Sequence, residues 1–130
     1  MTIFEWDQAK FTVSVTAMDD EHKKLIALMN ALYDVNQKGG DKAALKGPLK
    51  ALVDYTVKHF ADEEAYMASV NFPDLKLHQG IHKSLLDRVG QFAQEFEAEG
   101  KFSEDFFSFL KVWLTAHIQG VDRKYGAYKK

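Results

Sequence analysis

Cysteine is absent from the sequence. Its absence excludes disulfide bonds, thiolate metal ligands and cysteine nucleophiles. No apolar run approaches the roughly 20 residues that a membrane-spanning helix requires, because even Phe106 to Leu114 contains Ser108 and Lys111. The segment from Met1 to Asp7 carries two acidic residues and no basic one, unlike a signal peptide. We therefore expect a cytoplasmic protein that does not insert into membranes.

An excess of charge of one sign is also lacking, since 17 basic and 19 acidic residues leave a formal net charge of −2. This balance gives no electrostatic reason to expect nucleic acid or an anionic membrane as a partner. The 130 residues are 46% hydrophobic and 28% charged, which is typical of one globular domain. We expect a single domain over residues 1–130 and a monomer.

Strand signals are nearly absent, and the segments between the few proline and glycine breakers have helical periodicity. We predict an all-α, up-down-up-down four-helix bundle with an extended N-terminal arm. The arm covers residues 1–18, the helices cover about 19–38, 42–70, 74–99 and 103–120, and a C-terminal tail follows. Asp19 or Asp20 suits the start of the first helix. Pro48 either opens the second helix or breaks a short turn before it.

The five histidines are distributed over all four predicted helices. His22 falls on the first helix, His59 on the second, His78 and His82 on the third, and His117 on the fourth. A single helical histidine is most often a surface or core residue, but an inward histidine on every helix indicates a shared site. His78 and His82 have the spacing i, i+4, so they are offset by only about 40° and can reach one metal ion.

Two carboxylates accompany the histidines. Glu63 follows His59 by four residues and lies on a mostly apolar stripe, where a carboxylate needs a strong partner such as a metal. Glu64 points about 100° away and is predicted to be solvated. Asp122 lies five residues past His117, about 140° around an ideal helix. It shares the face of His117 only if the helix is locally distorted, and Gly120 could supply that distortion through a widened turn or a helix end.

These seven nitrogen and oxygen donors suit iron, manganese, zinc or copper. They are too many for one ion, so two metals are implied. Suppose that both are six-coordinate irons bridged by two carboxylates and one solvent-derived oxygen. One coordination position then stays open, as a protein that binds a small gas requires.

The sequence resembles the hemerythrin family, in particular its single-domain bacterial type, over nearly its whole length. The pattern H…HxxxE…HxxxH…HxxxxD is highly specific because seven positions and their spacings agree. The matching stretches are Trp6 with Phe11 to Val15, Met18 to Lys23, His59 to Glu64 with Met67 and Phe72-Pro73, His78 to His82, and Trp113 to Asp122 with Tyr125. Two departures are Ser14, where relatives often have glycine, and Leu85, where an aromatic residue is common.

This resemblance implies two iron ions (Fe2+/Fe3+) with a bridging oxo or hydroxo group, also bridged by Glu63 and Asp122. It implies that His78, His82 and His117 hold one iron. His22 and His59 would hold the other, where O2 would bind reversibly as hydroperoxide. The implied function is O2 transport, storage or delivery rather than catalysis, with any oxygen-consuming client unidentified. Candidates for the apolar wall around the O2 position are Met29, Phe60, Trp113 and Leu114.

Three alternatives are weighed against this interpretation. Ferritin-like diiron oxidases, peroxidases and iron-storage proteins use Glu-x-x-His pairs, and no glutamate here precedes a histidine by three residues. An O2 or redox sensor would use the same site and is expected to carry a signalling domain. A zinc hydrolase is disfavoured because the segment from His78 to His82 lacks the glutamate of a His-Glu-x-x-His motif.

Overall fold

The computed structural model describes residues 5–13, 15–100, 102 and 104–124. The chain forms the predicted all-α, up-down-up-down four-helix bundle, and the described residues contain no strand. Ser14, Tyr125 and the rest of the expected C-terminal tail from residue 125 lie outside the described residues. The elements are α1 (Gln8–Phe11), α2 (Thr16–Gln37), α3 (Lys42–Ser69), α4 (Leu75–Glu99), α5 (Glu104–Ala116) and a π-helical segment (His117–Asp122).

The N-terminal arm differs from the prediction in two details. It includes one helical turn, α1, and the first long helix begins at Thr16 rather than at Asp19 or Asp20. Asp19 is buried, and its carboxylate accepts hydrogen bonds from the Thr12 hydroxyl at 2.6 Å and the Val13 N–H at 2.8 Å. The acidic residue that suggested a helix cap therefore holds the arm against the bundle instead.

Pro48 neither opens α3 nor breaks a turn before it, because α3 runs without interruption from Lys42. The helix start is set by Asp41, whose side chain accepts a hydrogen bond from the Ala44 N–H at 2.8 Å. Pro48 cannot donate to the carbonyl four residues earlier, so it removes one hydrogen bond of the helix. The remaining length of α3, which reaches Ser69, continues beyond this local loss.

The helices end where the sequence supplies residues that tolerate a left-handed backbone. Gly100 follows α4 with φ of 75°, and its N–H donates to the Phe96 carbonyl at 2.7 Å. Gly39 lies just after α2 with φ of 78°. Such glycine ends are typical of helix termini. They allow the short connections that place successive helices antiparallel.

The core has an apolar part and a polar part. Phe102 stacks on both Phe96 and Phe106 with ring centroids 4.5 Å apart, which closes the apolar part beside the connection between α4 and α5. The polar part contains histidine and carboxylate side chains that are buried as completely as the phenylalanines. Within the described residues, no helix is both long and apolar enough to cross a bilayer.

Candidate metal centre

The structure brings all seven predicted donor residues together in the bundle interior. They come from α2, α3, α4 and the π-helical segment, so each long helix of the bundle or its continuation contributes at least one. None of these side chains is more than 3% exposed. The seven are His22, His59, Glu63, His78, His82, His117 and Asp122.

The donor atoms form two groups that could each hold a metal ion, and within each group the atoms lie within 4.8 Å of one another. Glu63 and Asp122 belong to both groups. One group adds three histidines to these carboxylates and the other adds two. The three are His78, His82 and His117, and the two are His22 and His59.

Asp122 reaches the site because the chain leaves the α-helical path after α5. Residues His117–Asp122 form a π-helix, in which hydrogen bonds span i to i+5 instead of i to i+4. The widened turn brings Asp122 Oδ1 to 2.9 Å from His117 Nε2. The local distortion that the five-residue spacing required is therefore present. Gly120 lies inside the segment, but it has no positive φ.

The imidazole nitrogens surround the two carboxylates at short distances. His22 Nε2 lies 3.2 Å from Glu63 Oε2 and 3.1 Å from Asp122 Oδ2. The Nε2 atom of His78 lies 3.0 Å from Asp122 Oδ1. On the other carboxylate, Glu63 Oε1 lies 3.3 Å from His59 Nε2 and 3.2 Å from the Nε2 of His82. The Nε2 atom of every one of the five histidines therefore faces Glu63, Asp122 or both.

The donor chemistry fits a bound cation. Buried atoms that make no hydrogen bond within the described part of the chain include His82 Nε2, His117 Nε2 and both carboxylate oxygens of Asp122. They lie close to oppositely polarised groups, but without the geometry that a hydrogen bond requires. Buried polar atoms are almost always hydrogen-bonded in folded proteins. Imidazole and carboxylate donors that converge in this way are suited to iron and other first-row metals.

Electrostatics keeps both buried acids ionised. Burial and the charge of Glu63 would raise the pKa of Asp122, but close histidines such as His117 lower it to about 2. Burial would likewise raise the pKa of Glu63, yet His59 and the other histidines hold that pKa well below its usual value. The acids in turn favour positive charge on the imidazoles. Burial would lower the pKa of His59, but Glu63 and Glu21 raise it to about 9.

His22 follows the same pattern, since burial would lower its pKa and the two acids outweigh that effect and raise it. Protons and metal ions compete for the same imidazole nitrogens, because a histidine must be neutral to bind a metal. Two anionic carboxylates inside a ring of imidazoles therefore form a site that attracts cations in general. Metal ions of charge two or three satisfy more of its donors at once than protons do.

Two glutamates outside the predicted donor set contact the Nδ1 atoms of histidines, on the side of each ring that faces away from the centre. The Glu21 carboxylate lies 2.6 Å from His59 Nδ1, and the Glu64 carboxylate lies 2.9 Å from His82 Nδ1. Glu64 is therefore not simply a solvated acid, which corrects the expectation from its position on α3. Glu64 does point away from Glu63 on α3, but the neighbouring helix α4 places His82 beside the Glu64 carboxylate. The sequence contains no signal for either contact, because both join residues on different helices.

Aromatic rings cover one flank of the candidate centre. Phe60 stacks on His82 at a centroid distance of 3.8 Å, and Trp113 stacks on His117 at 4.9 Å. The two aromatic rings also contact each other edge to face at 5.9 Å. The other wall candidates, Met29 and Leu114, are both buried. All four side chains lie in or beside the bundle interior, and Phe60 and Trp113 contact histidines of the group of three.

Comparison with known proteins identifies the family. A sequence model described as the hemerythrin HHE cation binding domain matches residues 13–128. The chain belongs to the hemerythrin family. Bacteriohemerythrin from Methylococcus capsulatus is 32% identical over 97% of this chain and 96% of its own length. A hemerythrin-like protein from Naegleria gruberi is 38% identical over 94% of this chain and 90% of its own length.

Solved structures agree with this assignment. The crystal structure of a wild-type hemerythrin superimposes with a TM-score of 0.87 at 32% identity and covers 95% of both chains. A leucine-to-tyrosine mutant of a hemerythrin gives a TM-score of 0.89 at 31% identity, covering 97% of this chain and 96% of that one. The resemblance seen in the sequence is thereby confirmed. The matching family model describes a cation binding domain, and this chain has a histidine and carboxylate cluster that could hold metal ions.

Proposed function

We propose that this chain binds O2 reversibly at a diiron centre and serves in O2 transport, storage or delivery rather than in catalysis. The observation that carries the proposal is the division of the donors into two groups that share two carboxylates. Shared carboxylates hold two metal ions at short separation, and the unequal number of histidines leaves one metal with fewer protein ligands. An unsaturated metal beside a saturated one suits a small diatomic ligand.

In this proposal Glu63 and Asp122 bridge the irons. His78, His82 and His117 complete the coordination of one iron, and His22 and His59 bind the other. When bound, the iron pair would supply the redox chemistry of reversible O2 binding. The histidines contribute neutral donors and the two acids contribute the negative charge that offsets the metals.

The remaining residues of the site orient the ligands and exclude water. Glu21 and Glu64 accept hydrogen bonds from the Nδ1 atoms of His59 and His82, so the Nε2 atoms of these rings are left to face the metals. Phe60 and Trp113 cover the imidazole faces of His82 and His117, and the Phe60 ring also lies 5.9 Å from that of His59, a proposed ligand of the iron that would bind O2. A dry apolar surround protects a reactive oxygen ligand from protonation and hydrolysis.

The direct test is anaerobic reconstitution with ferrous iron, followed by cycles of air and vacuum. We expect about two irons per chain and a nearly colourless anaerobic protein. A visible absorption band should appear in air and disappear under vacuum over repeated cycles. Colour that appears once and does not reverse would indicate oxidation chemistry and contradict the proposed carrier function.

The ligand set is tested separately by His82→Ala, which removes a buried donor. This variant should lose most of the bound iron. The matched control is Lys83→Ala, which changes an exposed neighbour on the same helix and should keep the full iron content. Retention of two irons by His82→Ala would contradict the ligand assignment even if the O2 chemistry were reversible.

A further inference from the structure

A second site-like feature lies on the surface between α4 and α5. It is an open groove of about 500 Å³, a volume within the range of small-molecule sites. Its floor is apolar, and the side chains that form it come from both helices: Leu77, Ile81, Leu85, Phe109 and Trp113. Leu85 is one of the two positions where the sequence departs from the family pattern, because an aromatic residue is common there.

The groove exposes apolar surface that the fold does not cover. Leu77, in the first turn of α4, is 62% exposed although it borders the other apolar residues of the groove. Gly80 lies beside it on α4 and has no side chain, and a Cβ atom added there would meet no atom within 4 Å. The missing side chain at Gly80 therefore keeps the groove open.

Two cations line the groove about three helical turns apart on α4, which corresponds to roughly 18 Å along the helix axis. Neither Lys76 nor Arg88 forms an ion pair with any of the described residues, whereas Lys83 between them pairs with Asp87. The Arg88 guanidinium lies 4.7 Å from the ring of Phe92 and 5.7 Å from that of Phe109. The guanidinium also donates to the Gln91 side chain at 2.9 Å, and it has no carboxylate partner among the residues that the structure describes.

From this juxtaposition we infer that the groove binds a single-chain amphiphile with an anionic head, such as a fatty-acid anion. The apolar floor from Leu77 to Trp113 takes the chain, and the guanidinium of Arg88 takes the carboxylate, a pairing that is frequently bidentate. Lys76 adds positive potential at the end of the groove opposite Arg88. A protein partner would typically bury about 800 Å² of this chain, whereas the concave surface has the size of a small ligand.

Trp113 gives this site a direct spectroscopic reporter. Its ring lines the groove on one side and stacks on His117 on the other. The chain has two tryptophans, so the variant Trp6→Phe leaves Trp113 as the single source of tryptophan fluorescence. Occupancy of the groove should change that emission, and calorimetry on the iron-loaded full chain gives an independent measure of binding.

The experiment titrates the iron-loaded chain with decanoate below its critical micelle concentration. We expect one saturable site by calorimetry and a parallel change in Trp113 emission. Decyltrimethylammonium has the same chain length with the opposite charge, and acetate has the head group without the chain. Neither should bind at the concentrations where decanoate saturates. Equal binding of decyltrimethylammonium, or binding of acetate alone, would overturn the inference.

Two pairs of variants locate the site. Gly80→Leu fills the groove and should abolish decanoate binding, whereas Gly90→Leu, also on α4 with open space around it, should not. Arg88→Gln should weaken binding about tenfold, and Lys83→Gln removes the same charge from α4 with little effect. Decanoate binding that survives Gly80→Leu unchanged would place the ligand elsewhere. A dimer that Gly80→Leu disrupts would assign the groove to a second copy of the chain.

Discussion

At the scale of single residues, the imidazole rings of the candidate centre are oriented by acids that do not face it. A histidine that donates from Nδ1 to a carboxylate presents the Nε2 lone pair on its opposite side. Glu21 does this for His59 and Glu64 does it for His82. The two glutamates therefore determine which nitrogen of each ring is available to a metal.

Removal of one such acid should weaken metal binding without removing a ligand. Glu64→Ala should lower iron affinity by roughly 10- to 100-fold, the usual effect of losing such an orienting partner. The measurement is retained iron after competition with a chelator of known affinity. Asp87→Ala, which removes an exposed acid of α4 that pairs with Lys83, is the control. Equal iron retention by both variants would refute the orienting role of Glu64.

Gly120 illustrates a prediction at residue scale that the structure revises. The spacing between His117 and Asp122 requires a local distortion, and the sequence offers Gly120 as a residue that could supply it. However, Gly120 lacks a positive φ, and an added Cβ would meet no atom within 4 Å. We expect Gly120→Ala to keep its full iron content and to change the free energy of unfolding by at most about 1 kcal/mol, in the stabilising direction. Loss of iron from this variant would show that the π-helical segment depends on glycine.

The sequence identifies the donor residues but not the contacts of Glu21 and Glu64 with histidines. His59 and Glu63, like His78 and His82, are recognisable because both members of each pair lie on one helix at a spacing that defines a face. The partner of Glu64 lies on another helix. Helix phase alone predicts that Glu64 points outward, but it does not state which side chain α4 brings to that position.

At the scale of elements, the N-terminal arm is tied to the bundle from two sides. Asp19 on α2 accepts hydrogen bonds from Thr12 and Val13. On the other side, Arg123 donates to the Thr12 carbonyl at 3.3 Å and to the Ala9 carbonyl at 3.1 Å. Because Arg123 directly follows Asp122, the arm is fixed against the end of the π-helical segment that carries a proposed iron ligand.

Loss of the arm's anchor on α2 should reduce stability. Asp19→Ala removes a buried charged acceptor from the Thr12 hydroxyl and the Val13 N–H, which should cost about 1–3 kcal/mol in the free energy of unfolding. Urea denaturation of the metal-free forms measures this difference directly. The control is Asp20→Ala, which changes an exposed acid and should shift the free energy by less than about 1 kcal/mol. Equal stability of the two variants would contradict the anchoring role.

The existence of the four helices follows from the sequence because apolar residues recur every three or four positions between breakers. Their starts are less well determined. Aspartate is a common helix-capping residue, so the sequence alone does not distinguish a cap from a buried anchor such as Asp19. Only the position of the arm shows that Asp19 is an anchor. Pro48 is similar, since a proline near a helix start is compatible with an opening, a break or, as found, a continuous helix.

At the scale of the whole molecule, the candidate centre joins the four helices through groups that are costly to bury. Buried polar atoms that lack hydrogen bonds destabilise a fold, and both oxygens of Asp122 are such atoms within the described chain. Bound metal would satisfy them and hold the helices together at the same time. Metal binding would therefore be coupled to folding, as it is wherever a site forms only in the folded state.

Removal of iron should consequently lower the melting temperature of the whole bundle. At free metal 1,000-fold above the dissociation constant, binding to the folded state alone stabilises it by about 4.1 kcal/mol. Calorimetric scans with and without a chelator measure the difference, and hydrogen exchange should show the largest loss of protection at α5 and His117–Asp122, which the metal anchors through Asp122. His82→Ala, with a damaged site, should show a smaller iron-dependent shift. An identical melting temperature with and without iron would mean that the helices alone hold the seven donors in place.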